Sequence, residues 1–289
     1  MARGLVHIVH AVGDLDAATD FYRRCGFTVG ARNRHPWGTY NHVVQLPGFF
    51  IEVLTVGEPD KLGDDGLSRH FGLPNQQAIA RGDGFSMLVA ESDDSAGDVA
   101  EFATANIADS GVLPFSRQAT LPDGSSATVG FSLAFARDPM SPQTLFATCQ
   151  QSNPEAFWST AYQQHANGAT AVAGAVLVAA KPADHAKFLR TFIGAADVEQ
   201  RVAGIALRTP RGEIDVLEPA AFAERYGVVC DLGERAMIAA LRIAVENLDA
   251  VDSILRDGEI PSHRHGALLI VPPQAAFGAT LIFEQADIA

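Results

Sequence analysis

The chain of 289 residues has little cysteine, little tryptophan and a shortage of positive charge. Its three cysteines, Cys25, Cys149 and Cys230, are odd in number, far apart and in no CxxC pattern, which excludes a disulfide framework and a thiolate zinc site. They read as reduced thiols of a cytoplasmic protein. Lys and Arg total 21 against 34 Asp and Glu, a formal net charge of −13. Phosphate backbones are held by clustered cations, so nucleic acid is not the expected partner. No apolar run spans a bilayer: Ala171–Ala180 is far too short, and MARGLVHIVHAV is broken too soon by Gly13 and Asp14 to act as a signal peptide. No P-loop, dinucleotide fingerprint or nucleophile elbow occurs, which removes nucleotide enzymes and serine hydrolases.

What is present is a globular composition, 47% hydrophobic and 19% charged, with weak internal repetition. The run LVHIVHAV alternates, putting Leu5, His7, Val9 and Ala11 on one strand face and Val6, Ile8, His10 and Val12 on the other. Next, Asp14 is placed to cap a helix in which Leu15, Ala18, Phe21, Tyr22 and Cys25 recur at helical spacing before Gly26 stops it. FTVGARN, NHVVQLP and FFIEVLTV complete a βαβββ unit. A second unit opens at FSMLVAES, with a turn expected at Pro122-Asp123-Gly124; a third opens at VAGAVLVAA, its helix ending at Gly194; a fourth runs from ALRIAVENLDAVDSIL to ATLIFEQ. The polar segment between Gln151 and Thr170 separates the halves, giving an N-terminal pair over 1–152, a linker over 153–170 and a C-terminal pair over 171–289. An unrelated α+β protein with generic strand–helix–strand patterning is the alternative.

The residues LVHIVHAVGDLDAATDFYRRCGFTV, with HPWGTYNHVVQLPGFFIEVLTV, resemble the opening module of the vicinal-oxygen-chelate, glyoxalase-like superfamily. The likeness is strong over residues 4 to 57 and extends further only through the repeats. It implies an α+β fold of four βαβββ modules paired into two cup-shaped sheets like those of glyoxalases and extradiol dioxygenases. It further implies metal ligands on the first and last strands of a module, here His7 and Glu52; Glu52 is also the candidate catalytic base, a role it takes only by leaving the metal transiently. A neutral imidazole and a carboxylate suit Zn²⁺, Fe²⁺, Ni²⁺ or Mn²⁺, and such an ion stabilises an enediolate on two adjacent substrate oxygens. The cofactor expectation is therefore one divalent metal, or none.

The other units depart from that pattern. Aligned on their helices, they offer Ser86 with Thr148 or Gln150, Gly174 with Asp215, and Ala240 with Glu284 nearby, and no histidine. An iron site in the C-terminal half is not expected. His42 is the candidate third ligand, being on a strand beside Glu52, although a one-residue register slip reverses its direction. Gln150 is second, as a weak ligand or a substrate contact. Arg34 and Trp37, in the loop RHPWG, offer a carboxylate fork and a flat apolar face for substrate. His10 lies on the opposite face from His7 and is expected to bond against the helix. His263 and His265 have ligand-like spacing on an expected exposed edge, and His165 is expected to brace the linker.

The leading expectation is a metal-dependent lyase or isomerase acting on a small molecule with vicinal oxygens, in a cytoplasmic protein that forms a homodimer. A metal-free small-molecule binding protein of the same fold and a ring-cleaving dioxygenase stay open beside it.

Overall fold

In the computed structural model, residues 2–120, 126–195, 197–231 and 236–286 are described; the expected turn at Pro122-Asp123-Gly124 lies outside them. The first alternating run forms β1 (Leu5–Ala11), followed by α1 (Leu15–Arg24), β2 (Asn33–Arg34), β3 (Thr39–Leu46) and β4 (Phe49–Val56). A π-helical turn at Ser68–Gly72 leads into α2 (Leu73–Arg81). The order then returns as β5 (Gly84–Glu91), α3 (Ser95–Thr104), β6 (Ala108–Thr120), β7 (Ser126–Ala136) and β8 (Leu145–Ser152). It returns again as β9 (Ala169–Val178), α4 (Ala186–Ile193), β10 (Glu199–Arg201), β11 (Gly204–Arg208) and β12 (Glu213–Leu217), with α5 (Pro219–Tyr226) appended. The last stretch is β13 (Met237–Val245), α6 (Leu248–Asp257), β14 (His263–His265), β15 (Leu268–Val271) and β16 (Thr280–Gln285).

Local chemistry sets the helix ends. The carboxylates of Asp14 and Asp94 accept the backbone N–H groups of Ala17 and Gly97, and the Asn247 amide oxygen accepts those of Asp249 and Ala250. Gly26 and Gly194 follow α1 and α4 at φ +83° and +67°, a left-handed conformation that an L side chain resists. Both stops fall where the sequence places them. FTVGARN behaves otherwise, with only Asn33 and Arg34 in a ladder. Its earlier N–H groups have other acceptors: Phe27 donates to Tyr22 O, Thr28 to the His165 ring and Gly30 to Val43 O.

In each stretch the first strand pairs parallel with the last, β1 with β4, β5 with β8, β9 with β12 and β13 with β16. Antiparallel pairing of β1 with β5 joins the N-terminal eight strands, and that of β9 with β13 joins the C-terminal eight. One bridge, Phe85 opposite Ile238, makes the whole a single curved, unclosed sheet. The helices α1, α3, α4 and α6 lie between the halves, and their apolar stripes share one core. Phe102 and Phe146 meet Phe192, and Phe146 also meets Phe188, with ring centroids 4.8–6.2 Å apart. His10, fully buried, sits in this core, where Tyr22 OH donates to Nδ1 and Nε2 donates to Phe277 O in the C-terminal half. The helix partner expected for it is present. No helix among the described residues is long and apolar enough to cross a membrane.

The opposite, concave faces differ. On the C-terminal one, Phe222 and Tyr226 of α5 pack on Val176, Val178, Ile270 and Ile282. Beside them Asp215, wholly buried, receives Arg201 at 2.6 Å, Arg242 at 3.0 Å and Arg225 at 3.4 Å, while Arg242 also holds Glu284 at 2.9 Å. Removing one partner of such a set leaves charges buried and uncompensated. Asp215→Ala is expected to lower unfolding free energy by about 3 kcal/mol in urea denaturation, whereas Asp20→Ala, which removes the exposed partner of Arg24 on α1, shifts it by less than about 0.5 kcal/mol.

Candidate functional site

The N-terminal concave face carries a cleft with a volume of about 70 Å³, on a scale where one water needs roughly 10–15 Å³. Strand alternation aims its polar groups. Val9 pairs with Glu52 across the parallel β1/β4 ladder and Val43 pairs with Glu52 across β3/β4, so these side chains share the concave side with His7 and Asn41. His7 and Glu52 are 4% and 5% exposed, which removes both from water yet leaves each facing the cleft. His7 Nε2 lies 3.9 Å from Glu52 Oε2, and the His7 ring stacks on Phe50 at 4.4 Å. Asn41 Nδ2 donates to Glu52 Oε1, and Asn33 donates in turn to the Asn41 oxygen at 3.0 Å. Across the cleft, β6 and β7 present Phe115, Arg117, Phe131 and Leu133. Trp37, Phe71 and Phe157 add aromatic surface to its lining.

Burial decides the charges. It pushes the His7 ring down to about 3 and the His35 ring likewise to about 3, so both are neutral at physiological pH. It pushes the Glu52 carboxyl up to about 7, against the opposing Asn41 hydrogen bond and the field of Arg117. The Cys149 thiol is held up at about 12, so it is no nucleophile here. Arg117 is lowered by burial but raised by Glu52, and pairs with no carboxylate among the described residues.

The sequence-derived residues divide. His7, Glu52 and Trp37 meet in the cleft. His42 does not: it pairs with Val53, on the other sheet face, and its Nδ1 donates to Gly30 O at 2.8 Å. The expected third ligand is therefore withdrawn, because alternation puts Asn41 and Val43 inside and His42 outside. Gln150 is corrected likewise. Its oxygen accepts from Ser95 N and Oγ and its amide donates to Asp93 O, so it fastens the start of α3. Arg34 lies over the Tyr40 ring and pairs with Glu58, away from the cleft. Ser86 sits at a β-bulge and bonds Asn75 of α2. His265 bonds Glu224 O on the C-terminal side, and His165 braces the linker by accepting from Thr28 N and donating to Gln45 O.

The cleft residues that the sequence reading passed over include Asn33, Asn41, Phe115, Arg117, Phe131 and Phe157, with Leu67 and Phe71 from the segment before α2. Period-two spacing in PFSR and FSLAF was the available signal for the β6 and β7 contributions. Phe157 had none, since it reaches the cleft through the linker. There Gln45 donates to Phe157 O and accepts from Ser159 N, holding the segment across β3.

The donor set does not fit a resident metal ion. No three His, Cys, Asp or Glu side chains among the described residues converge on one point. The places corresponding to His7, seven residues before each N-cap, hold Met87, Gly174 and Ala240; those corresponding to Glu52 by strand pairing hold Ala147, Asp215 and Ile282. The facing β5/β8 pair thus offers Met87 and Ala147, not Ser86 and Thr148. His7 Nδ1 is buried without a hydrogen-bond partner, whereas a ligating imidazole is ordinarily fixed through its second nitrogen. Two donors remain where three or four are needed.

A family model described as a glyoxalase-like domain matches residues 5–193, and the chain belongs to that family, of the vicinal-oxygen-chelate type. No curated protein matches it in sequence. Among solved structures it is similar to a hypothetical protein from Staphylococcus aureus, at 12% identity and a TM-score of 0.69, over 98% of this chain and all of that one. It is also similar to a variant of 4-hydroxymandelate synthase from Streptomyces coelicolor, at 13% identity and TM-score 0.54, over 98% and 92% of the two chains. A third likeness is to 2,2',3-trihydroxybiphenyl 1,2-dioxygenase from Sphingomonas wittichii, at 12% identity and TM-score 0.53, over 99% and 91%. At these identities the likeness is one of fold.

Glu52 has a thermodynamic signature. Its folded value near 7 lies above the ordinary 4.5, so the native state keeps a proton that the unfolded chain releases. Stability from this group is therefore lost as pH rises from 4.5 to 7, by about 3 kcal/mol, and is level above that. Denaturation curves at several pH values check this: Glu52→Gln removes the fall, gaining stability relative to wild type above pH 7. The neutral His7 and His35 act in the opposite sense, losing stability as pH falls below 6.5 toward 3.

Proposed function

We propose that the N-terminal cup binds a small planar carboxylate and catalyses proton transfer beside its carbonyl group, an isomerase- or lyase-type activity that needs no resident metal. The observation that carries this reading is the buried Glu52, raised to about 7, hydrogen-bonded on one oxygen to Asn41 and facing the same cleft as Arg117. A carboxyl poised near neutral pH takes and returns a proton with little driving force lost in either direction. Arg117 supplies the anion-binding charge that was expected of Arg34, and a guanidinium fork matches a carboxylate in two bonds. The rings of Phe50, Phe115 and Phe131 supply flat apolar walls, and exclusion of water strengthens every charge interaction between them. Neutral His7, its Nδ1 unpartnered, is available to hydrogen-bond a carbonyl or hydroxyl of the ligand. In this reading the segment 1–152 handles ligand and 171–289 is scaffold, its own cup occupied by α5 and the Asp215 ion pairs.

Phenylpyruvate, which has exchangeable protons beside its carbonyl, serves as the probe. Both tryptophans lie at the cleft, Trp37 in its wall and Trp158 against Phe50, so intrinsic fluorescence reads binding. Arg117→Gln is expected to weaken binding about tenfold or more, the loss of roughly one charged hydrogen bond. Glu52→Gln is expected to bind within about threefold of wild type yet slow deuterium exchange of the ligand by about 100-fold or more. Exchange unaffected by Glu52→Gln, with binding intact, leaves a sequestration protein and removes the enzymatic reading. Metal analysis gives a separate check: purified wild type and His7→Ala are both expected to hold well under one equivalent of transition metal. A full equivalent in wild type that His7→Ala loses restores the metal-dependent lyase in its place.

A further inference from the structure

The π-helical turn Ser68–Gly72 stands between two cavities. Leu67 and Phe71 face the aromatic cleft, while Arg69 and His70 face a second one, of about 250 Å³ against 70 Å³ for the first. Arg137, just after β7, and Asp109, near the start of β6, complete its polar side; Pro74 and Phe135 are on its apolar side. Two arginines against one aspartate leave a formal charge of +1 there, on a chain whose net charge is −13. The pairing is loose: Asp109 lies 3.3 Å from His70 Nδ1 and 3.5 Å from Arg137 Nε. Some arginines elsewhere make tighter pairs, as Arg3 with Asp98 at 2.6 Å and Arg211 with Glu91 at 2.8 Å, while exposed ones such as Arg208 with Glu199 at 3.9 Å are looser. Arg69 has no carboxylate partner among the described residues.

We propose that this cleft binds a small phosphate-type oxyanion between Arg69 and Arg137, and that its occupancy is transmitted to the aromatic cleft through the π-turn. Guanidinium groups hold phosphate oxygens in pairs, and two of them match a dianion better than the single negative charge of Asp109. The apolar side formed by Pro74 and Phe135 suits the organic part of a phosphate monoester. The coupling follows from connectivity. A helix carrying an extra residue per turn is a local irregularity, often retained at functional sites. An anion spanning Arg69 and Arg137 ties that turn to the end of β7. Phe71, two residues along the turn from Arg69, packs on Trp37 with ring centroids 6.0 Å apart. Coupling between the two sites is necessarily reciprocal in binding free energy.

The test uses the full chain at constant ionic strength, with inorganic phosphate and phenyl phosphate as separate probes. Wild type is expected to melt at higher temperature at about 10 mM of either probe, and the Arg69→Gln/Arg137→Gln double variant is expected to lose that shift. Arg117→Gln, in the other cleft, keeps it. Tighter binding of phenyl phosphate by about tenfold or more assigns an ester as the ligand class, and equal binding assigns the free ion. In Trp158→Phe, which leaves Trp37 as the sole tryptophan, phosphate is expected to change the emission, and the change disappears when Arg69 and Arg137 are replaced. A melting shift that persists in the double variant, or none in wild type, overturns the site. Unchanged Trp37 emission with the site occupied overturns the coupling. Neither outcome depends on the proton-transfer reading, since no activity is measured.

Discussion

The parallel register of β1 against β4 is the constraint from which the rest of the N-terminal half follows. With Val9 opposite Glu52 and His10 opposite Val53, alternation sends the two histidines of one short strand to opposite fates. His7 joins Glu52 in the cleft. His10 enters the shared core, neutral and bonded at both ring nitrogens, and so connects α1 to the C-terminal half. A shift of one residue would bury the site and expose the clasp, which couples the chemistry of the cleft to the packing of the halves.

The two cups show how one backbone plan yields different outcomes from the way a buried carboxylate is satisfied. Glu52 and Asp215 occupy corresponding places on their last strands. Asp215 is surrounded by Arg201, Arg225 and Arg242, whose charges oppose the upward push of burial on its carboxyl, and α5 packs over the adjoining surface, so its role is architectural. Glu52 has one amide donor and a more distant guanidinium, so burial outweighs the compensation and its proton is held toward neutral pH. Metal chemistry of the usual family kind would need donors from the facing strands, and Met87 and Ala147 there present carbon and thioether surface.

Local sequence chemistry was legible where it acts over short range. Asp14 caps a helix, Gly26 and Gly194 lie just past the ends of two, and the glyoxalase-like resemblance over the first unit placed His7 and Glu52 together. Two segments with weak periodicity were not read at all: the π-turn with α2, and α5. Both connect a last strand to the next first strand, and both bury residues against concave surfaces that do not exist until the sheet has curved. The residue corresponding to His7 in the second stretch was misplaced by one, at Ser86 instead of Met87, because α3 is capped by Asp94, the second of two adjacent aspartates, and a count of seven back from that cap reaches Met87.

The sequence by itself determined the first strand and helix of each repeated unit and the sidedness of β1, because alternation and capping are properties of neighbouring residues, while the family resemblance supplied the pairing of His7 with Glu52. Only the tertiary structure decided which polar groups accompany them. His42 and Asn41 differ by one position and point to opposite faces, Gln150 is engaged by a helix start, and Arg117 and Phe157 arrive from a distant strand and from the linker. Those outcomes depend on register, sheet curvature and burial, which arise between segments far apart in the chain and set both the direction and the protonation of each group.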